Sequence, residues 1–165
     1  MNKIILALIL VLVNTSLMAQ SFSYEVEDDQ FSNYLMVTGS EMETIAGNST
    51  IKWKLLGQID RRTGQRFYSI MWWSMYRQNS INLRNYSEII LPGAIRIDGL
   101  KANEDRRYVN RMWLLFEIWT ATIPESQLIT IDEFRFRATD GPNVDTAMPP
   151  GYVEGLIDVM MEYSE

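Results

Sequence analysis

TIKWKLLGQIDRRTGQRFYSIMWWSMYR, residues 50–77, alternates with a period of two. Ile51, Trp53 and Leu55 fall on one side of an extended chain, and Lys52 and Lys54 on the other. That is the pattern of a half-buried strand. Asp60 can open a turn through its side-chain oxygen, and Gly64 can take a positive φ at little cost. The spacing predicts a β-hairpin with arms 50–59 and 65–77. The second arm is apolar on both sides: Tyr68, Ile70, Trp72 and Tyr76 share one, and Phe67, Met71, Trp73 and Met75 share the other. A strand with one solvated face alternates more cleanly. This arm is therefore either covered twice or offers one face to a ligand.

The same period extends outward from the hairpin. Before it, residues 23–26, 34–38 and 43–46 read as strands. After it, residues 87–100 give two short strands around Leu91-Pro92-Gly93-Ala94, where Pro-Gly suits a type II turn. Residues 101–105 read as a polar loop. Residues 106–123 form a run too long for one flat strand, which predicts a bulge or bend inside it. Pro124-Glu125-Ser126-Gln127-Leu128 reads as one helical turn with proline at its first position. Residues 132–138 alternate again, with Phe134 and Phe136 inward. The tail, 152–163, fits two periods. Glu154, Asp158 and Glu162 are spaced for a helix, yet Val153, Gly155, Ile157, Val159, Met161 and Tyr163 alternate as a strand. Gly155 and the β-branched Ile157 and Val159 favour the strand. Eight to ten short strands with at most one or two short helical pieces predict an all-β fold, an antiparallel β-sandwich, with a closed β-barrel as the alternative.

Residues 1–19 read as an address rather than as structure. Lys3 supplies a positive charge, residues 4–13 are apolar, and Leu17-Met18-Ala19 ends on a small residue. This is the pattern of a secretory signal peptide, and ten apolar residues are too few to span a bilayer. We expect cleavage after Ala19, a single domain over 20–165, and a mature protein in the periplasm or outside the cell. No transmembrane segment is expected after cleavage.

The chain has no cysteine and no histidine. Disulfides, cysteine nucleophiles, Ser-His-Asp triads and zinc sites with sulfur or nitrogen ligands are thereby excluded. The net charge is −6, which disfavours nucleic acid as a partner. Residues 20–49 carry acids and no base, whereas Lys52 to Arg111 is rich in Lys and Arg. That asymmetry predicts acidic flanking strands paired across a sheet with basic central ones.

Five tryptophans are the most prominent candidates for function. Trp72 and Trp73 are adjacent and so point to opposite faces of a strand, one toward the core and one toward a surface. An exposed ring can stack on a sugar or anchor at a lipid interface. Trp113 and Trp119 lie six apart and share a face in a regular strand. The ligand-binding candidates are Trp72, Trp73, Trp113, Trp119 and Tyr76. Glu117 lies inside the apolar run, and Arg111 shares its strand face. Asp140, Asn143 and Asp145 place oxygens in one loop, but the spacing is not that of an EF-hand. No metal, cofactor or catalytic residue is assigned.

The ending Met18-Ala19-Gln20 on a short Ile/Leu-rich leader resembles signal peptides of Bacteroidota. Ile123-Pro124-Glu125-Ser126-Gln127-Leu128, followed by Asp132-Glu133-Phe134-Arg135-Phe136-Arg137-Ala138-Thr139-Asp140-Gly141, is similar to the closing segment of small exported β-sandwich proteins of that group, which have no assigned function. The resemblance implies a fold and a compartment and no catalytic residue. The expectation is a non-catalytic binding or structural module of the cell envelope, with a glycan, a lipid or another envelope protein as partner. Two alternatives are a carrier of a small apolar ligand or lipid, with Phe67, Met71, Trp73 and Met75 lining an interior, and a carboxylate-dependent glycan hydrolase.

Overall fold

A computed structural model describes residues 22–28, 31–46, 49–77, 86–137 and 143–164. The hairpin that opens the sequence argument forms as β4 (Ser49–Asp60) and β5 (Arg66–Arg77). Its turn is built as the side chains dictate. Asp60 Oδ1 accepts from the Arg62 and Thr63 amides, and Gly64 sits at φ 70°. β4 and β5 are the centre of a larger antiparallel sheet. On one side lie β1 (Tyr24–Glu27), β2 (Tyr34–Gly39) and β3 (Met42–Ala46); on the other lie β9 (Met112–Ile123) and the edge strand β8 (Leu100–Val109). A smaller sheet carries β6 (Glu88–Leu91), β7 (Ile95–Asp98), β10 (Glu133–Arg137) and β11 (Val144–Ala147), in the order β11-β10-β6-β7. The fold is an antiparallel two-sheet sandwich, and no closed barrel is formed among the described residues.

The core lies where the two sheets face. Trp53 pairs with Trp72, and Trp72 pairs with Trp119, so three rings form a row across the inner face of the larger sheet. Phe134 meets Trp53 edge-on at 5.0 Å between ring centroids, and Phe136 meets Trp72 at 5.9 Å. Such pairs prefer tilted geometry because the ring face is electron-rich and the edge is not. Trp72 is fully buried and donates its indole N–H to Tyr86 O at 2.6 Å. The Trp53 indole donates to Thr44 Oγ1, which lies 3.2 Å from Thr146 Oγ1, so one hydroxyl pair links β3 to β11.

The tail corrects the strand expectation. Residues Tyr152–Glu162 form a helix, α2, after a short helix α1 (Glu125–Leu128). The spacing by four decides it: Tyr152, Val153, Leu156 and Met160 are buried, whereas Glu154, Asp158 and Glu162 are exposed. Gly155, a poor helix former, serves packing here. A Cβ there would lie 2.5 Å from the Tyr24 hydroxyl, so glycine lets β1 close on the helix. α2 covers the end of the inner face that the smaller sheet leaves open.

Three further expectations change. Residues 101–105 are not a loop but part of β8. Charge along that segment reflects an exposed edge strand, which proteins protect in this way. The bend expected within 106–123 is a two-residue turn, Asn110-Arg111, with both residues at positive φ, the signature of a tight hairpin. The bulge lies earlier, between Lys101 and Asn103. Proline precedes α1 as its cap rather than occupying its first position. The Leu91–Ala94 turn has Gly93 at φ 78°, ψ 14°, as a type II turn requires at that position. Of the three oxygen-bearing residues expected in one loop, Asp140 lies outside the described residues, and Asp145 is paired with Arg135.

Charge pairing follows the asymmetry in the sequence. Lys52 on β4 meets Glu41 at 2.5 Å and Glu43 at 3.2 Å, and Arg61 meets Asp28. The acidic flank therefore neutralises two bases of the central strands, Lys52 and Arg61.

Candidate functional site

β5 sends alternate residues to opposite faces, and the two faces have different fates. Tyr68, Ile70 and Trp72 are buried in the core, while Met71 and Trp73 are partly exposed and Phe67 is 36% exposed. The adjacent tryptophans thus divide as strand geometry requires: Trp72 belongs to the core and Trp73 to the outer face. Trp119 is half-buried on the inner face beneath the Lys101 ammonium, which lies 5.2 Å from its ring. Trp113 and Tyr76 are placed in β9 and β5, but their side chains lie outside the described residues. Of the five residues that the sequence singles out, Trp73 is the one that the described structure places on the outer face.

The register fixes its neighbours. Across β5, Trp73 is opposite Lys52 on β4 and Ile118 on β9, and Met71 is opposite Lys54 and Thr120. One row further along, Phe116 carries the Arg107 guanidinium at 5.9 Å. Ile45 on β3 and Leu100 on β8, 79% and 74% exposed, continue the same face to its margins. No element among the described residues packs on this side of the sheet. The result is an aromatic and aliphatic strip, centred on Trp73 and bordered by two lysines of β4.

That placement corrects the lining expected of a carrier. Phe67, Met71 and Trp73 line no interior, because their face is the outward one. The inward positions of β4 and β5 are packed by Phe134, Phe136, Tyr152 and Met160. Met75 lies outside the described residues as a side chain.

Sequence reasoning missed a depression beside the strip. β2 and β3 both pair with β4, one after the other, and the chain between them steps away at Gly39-Ser40-Glu41. On the inner side the Tyr152 hydroxyl fills the gap: it donates to Ser40 O at 2.5 Å and accepts from Leu55 N at 3.2 Å. Gly39 makes room for it, since a Cβ there would lie 2.6 Å from the hydroxyl oxygen. On the outer side the same break leaves a notch of about 230 Å³ lined by Ser23, Glu25, Thr38, Gly39, Ser40, Glu41 and Lys54. No local motif announces such a feature, because it arises from two strands sharing one neighbour.

Glu117, the acid set in the apolar run, does not face solvent, and the ion pair that it makes is with Lys101 on the neighbouring strand. It is 5% exposed and is held by Lys101, which also bonds Glu104 at 3.1 Å. These contacts raise the Lys101 pKa, first through its hydrogen bond to Glu117, and lower that of Glu104. The carboxylate is thus engaged as an ion-pair partner. No group of three or more metal-ligating side chains occurs among the described residues, and none of their helices is long and apolar enough to cross a membrane.

Comparison with protein-family models, with curated proteins and with solved structures found no match to this chain.

Proposed function

We propose that this chain is an exported, non-catalytic binding module of the cell envelope, and that it meets a glycan through the outer face of its larger sheet. The observation that carries the proposal is Trp73, partly exposed at the centre of an uncovered strip, with Met71 and Ile118 beside it and Lys52 and Lys54 one strand away. A flat ring on a rigid strand presents a stacking surface for the apolar face of a sugar and loses little freedom on binding. Lys54 supplies hydrogen-bond donors at its margin, whereas Lys52 is engaged by Glu41 and Glu43. Two further features support this reading. The leader pattern over residues 1–19 suits a protein that works outside the cytoplasm. Glu117 is closed off by Lys101 rather than open to a substrate.

The test is a defined array of neutral, amino and acidic oligosaccharides. We expect the protein to retain a subset of them and Trp73→Ala to weaken that binding at least about tenfold, the scale of a lost aromatic anchor. Trp73→Ala should lower the melting temperature by no more than a few degrees, since the residue is outside the core. Retention unchanged in a folded Trp73→Ala protein, or no glycan retained by the parent protein, would remove the basis of the proposal.

A further inference from the structure

Resting on the reading of the outer face as the binding surface, we infer that the notch at the β2–β3 break is a second subsite, which takes a polyhydroxyl ring of the same oligosaccharide that stacks on Trp73.

The notch holds a pair of opposite charges that do not meet. In the depression beside the Pro92–Ala94 turn, which is of similar size, Arg135 is bonded to Asp145. In the notch, Glu41 is taken by Lys52. Glu25 and Lys54 line the same notch, yet neither side chain has a hydrogen-bond or ion-pair partner among the described residues. They are a carboxylate that only accepts and an ammonium that only donates, held apart across one small space. A ligand that satisfies both must donate on one side and accept on the other. Adjacent hydroxyls of a sugar ring do this without carrying charge, because each hydroxyl is both donor and acceptor. The Ser23 and Ser40 hydroxyls, bonded to each other at 3.0 Å, form the polar end of the notch.

Position favours the same ligand. Lys54 is directly opposite Met71, so the notch and the Trp73 strip are continuous across β4. From β5 to β2 is two strand spacings, roughly 10 Å at about 4.8 Å each. One ring stacked on Trp73 therefore leaves room for a neighbouring ring of the same oligosaccharide over the notch. The platform supplies apolar contact, and the notch, where Glu25 is exposed and Lys54 partly buried, supplies polar partners for the second ring.

Titration calorimetry with a matched neutral disaccharide and its monosaccharide tests this, using the parent protein, Glu25→Gln, Lys54→Met and Trp73→Ala. The disaccharide is one retained on the array. We expect Glu25→Gln and Lys54→Met each to weaken disaccharide binding at least about fivefold, at unchanged melting temperature, and to leave monosaccharide binding nearly as it was. Trp73→Ala should weaken both sugars. If Trp73→Ala weakens both but neither notch variant affects the disaccharide, the outer-face reading stands and the second subsite is wrong. If neither Trp73→Ala nor the notch variants change binding, both fall.

Discussion

Replacing Trp72 with alanine should cost about 4 kcal/mol of folding stability, whereas the same change at the adjacent Trp73 should cost about 1 kcal/mol or less. The two residues have the same chemistry and neighbouring positions, so the contrast isolates the face. Trp72 is wholly enclosed, it packs against Phe136 at 5.9 Å, and its indole satisfies Tyr86 O. Truncation removes the buried ring, leaves a cavity beneath β6, and strands a carbonyl without its donor. Each of these terms is unfavourable on its own. For a domain of this size, 4 kcal/mol corresponds to a drop in melting temperature of roughly 10 °C or more. Thermal unfolding followed by near-ultraviolet circular dichroism measures both variants. Equal losses in the two would mean that Trp73 is a core residue and that the outer face is covered. Gly99→Ala should act on the same contact from the other side, since its Cβ would lie 2.7 Å from the Trp72 ring and 2.8 Å from Ser87 O.

The second large effect is expected at Tyr152. Tyr152→Phe keeps the ring, which lies 4.9 Å from Phe22 and 5.8 Å from Trp53, and removes only the hydroxyl. That hydroxyl is the partner of two backbone groups at the β2–β3 break, Ser40 O and Leu55 N. A backbone donor and a backbone acceptor are left without a protein partner, at about 1–3 kcal/mol each when buried. We expect a loss of about 3 kcal/mol in denaturant unfolding. A loss below about 0.5 kcal/mol would show that the break does not depend on the helix. The same hydroxyl gives the fold an alkaline limit. Burial pushes the Tyr152 pKa up to about 12, and burial, followed by the nearby Glu154 and Asp158 carboxylates, pushes Tyr24 up to about 12 as well. Unfolded tyrosine titrates near 10. Between these values the folded chain holds protons that the unfolded chain has released, so stability is full below about pH 10 and falls as pH rises toward 12. Tyr152→Phe should flatten part of that fall.

The elements most legible in the sequence were those whose period had one meaning. β4 reads as a strand because Ile51, Trp53 and Leu55 cannot share a helix face while Lys52 and Lys54 take the other side. β10 is equally plain from Phe134 and Phe136. The tail was not, because Val153 to Tyr163 satisfies both periods and Gly155 and Val159 argue locally for a strand. Tertiary packing decided otherwise: Leu156 and Met160 have the inner face of β2 and β4 to cover, and Gly57 makes room for Met160. β8 was misread because its edge position, which explains its charges, is a property of the whole sheet. The site was half legible. Adjacency alone separates Trp72 from Trp73, but not which of them faces outward. The notch was invisible, since Ser23, Glu25, Ser40 and Lys54 meet only once β2 and β3 share β4.

The most direct test of binding at the outer face is a titration of the protein with an array-selected oligosaccharide, followed by nuclear magnetic resonance of the five tryptophan indole N–H groups. The Trp73 signal should move in step with saturation, while those of the core residues Trp53 and Trp72 hold still. A saturating titration in which Trp73 stays fixed, with shifts confined to residues of the smaller sheet, would contradict the account.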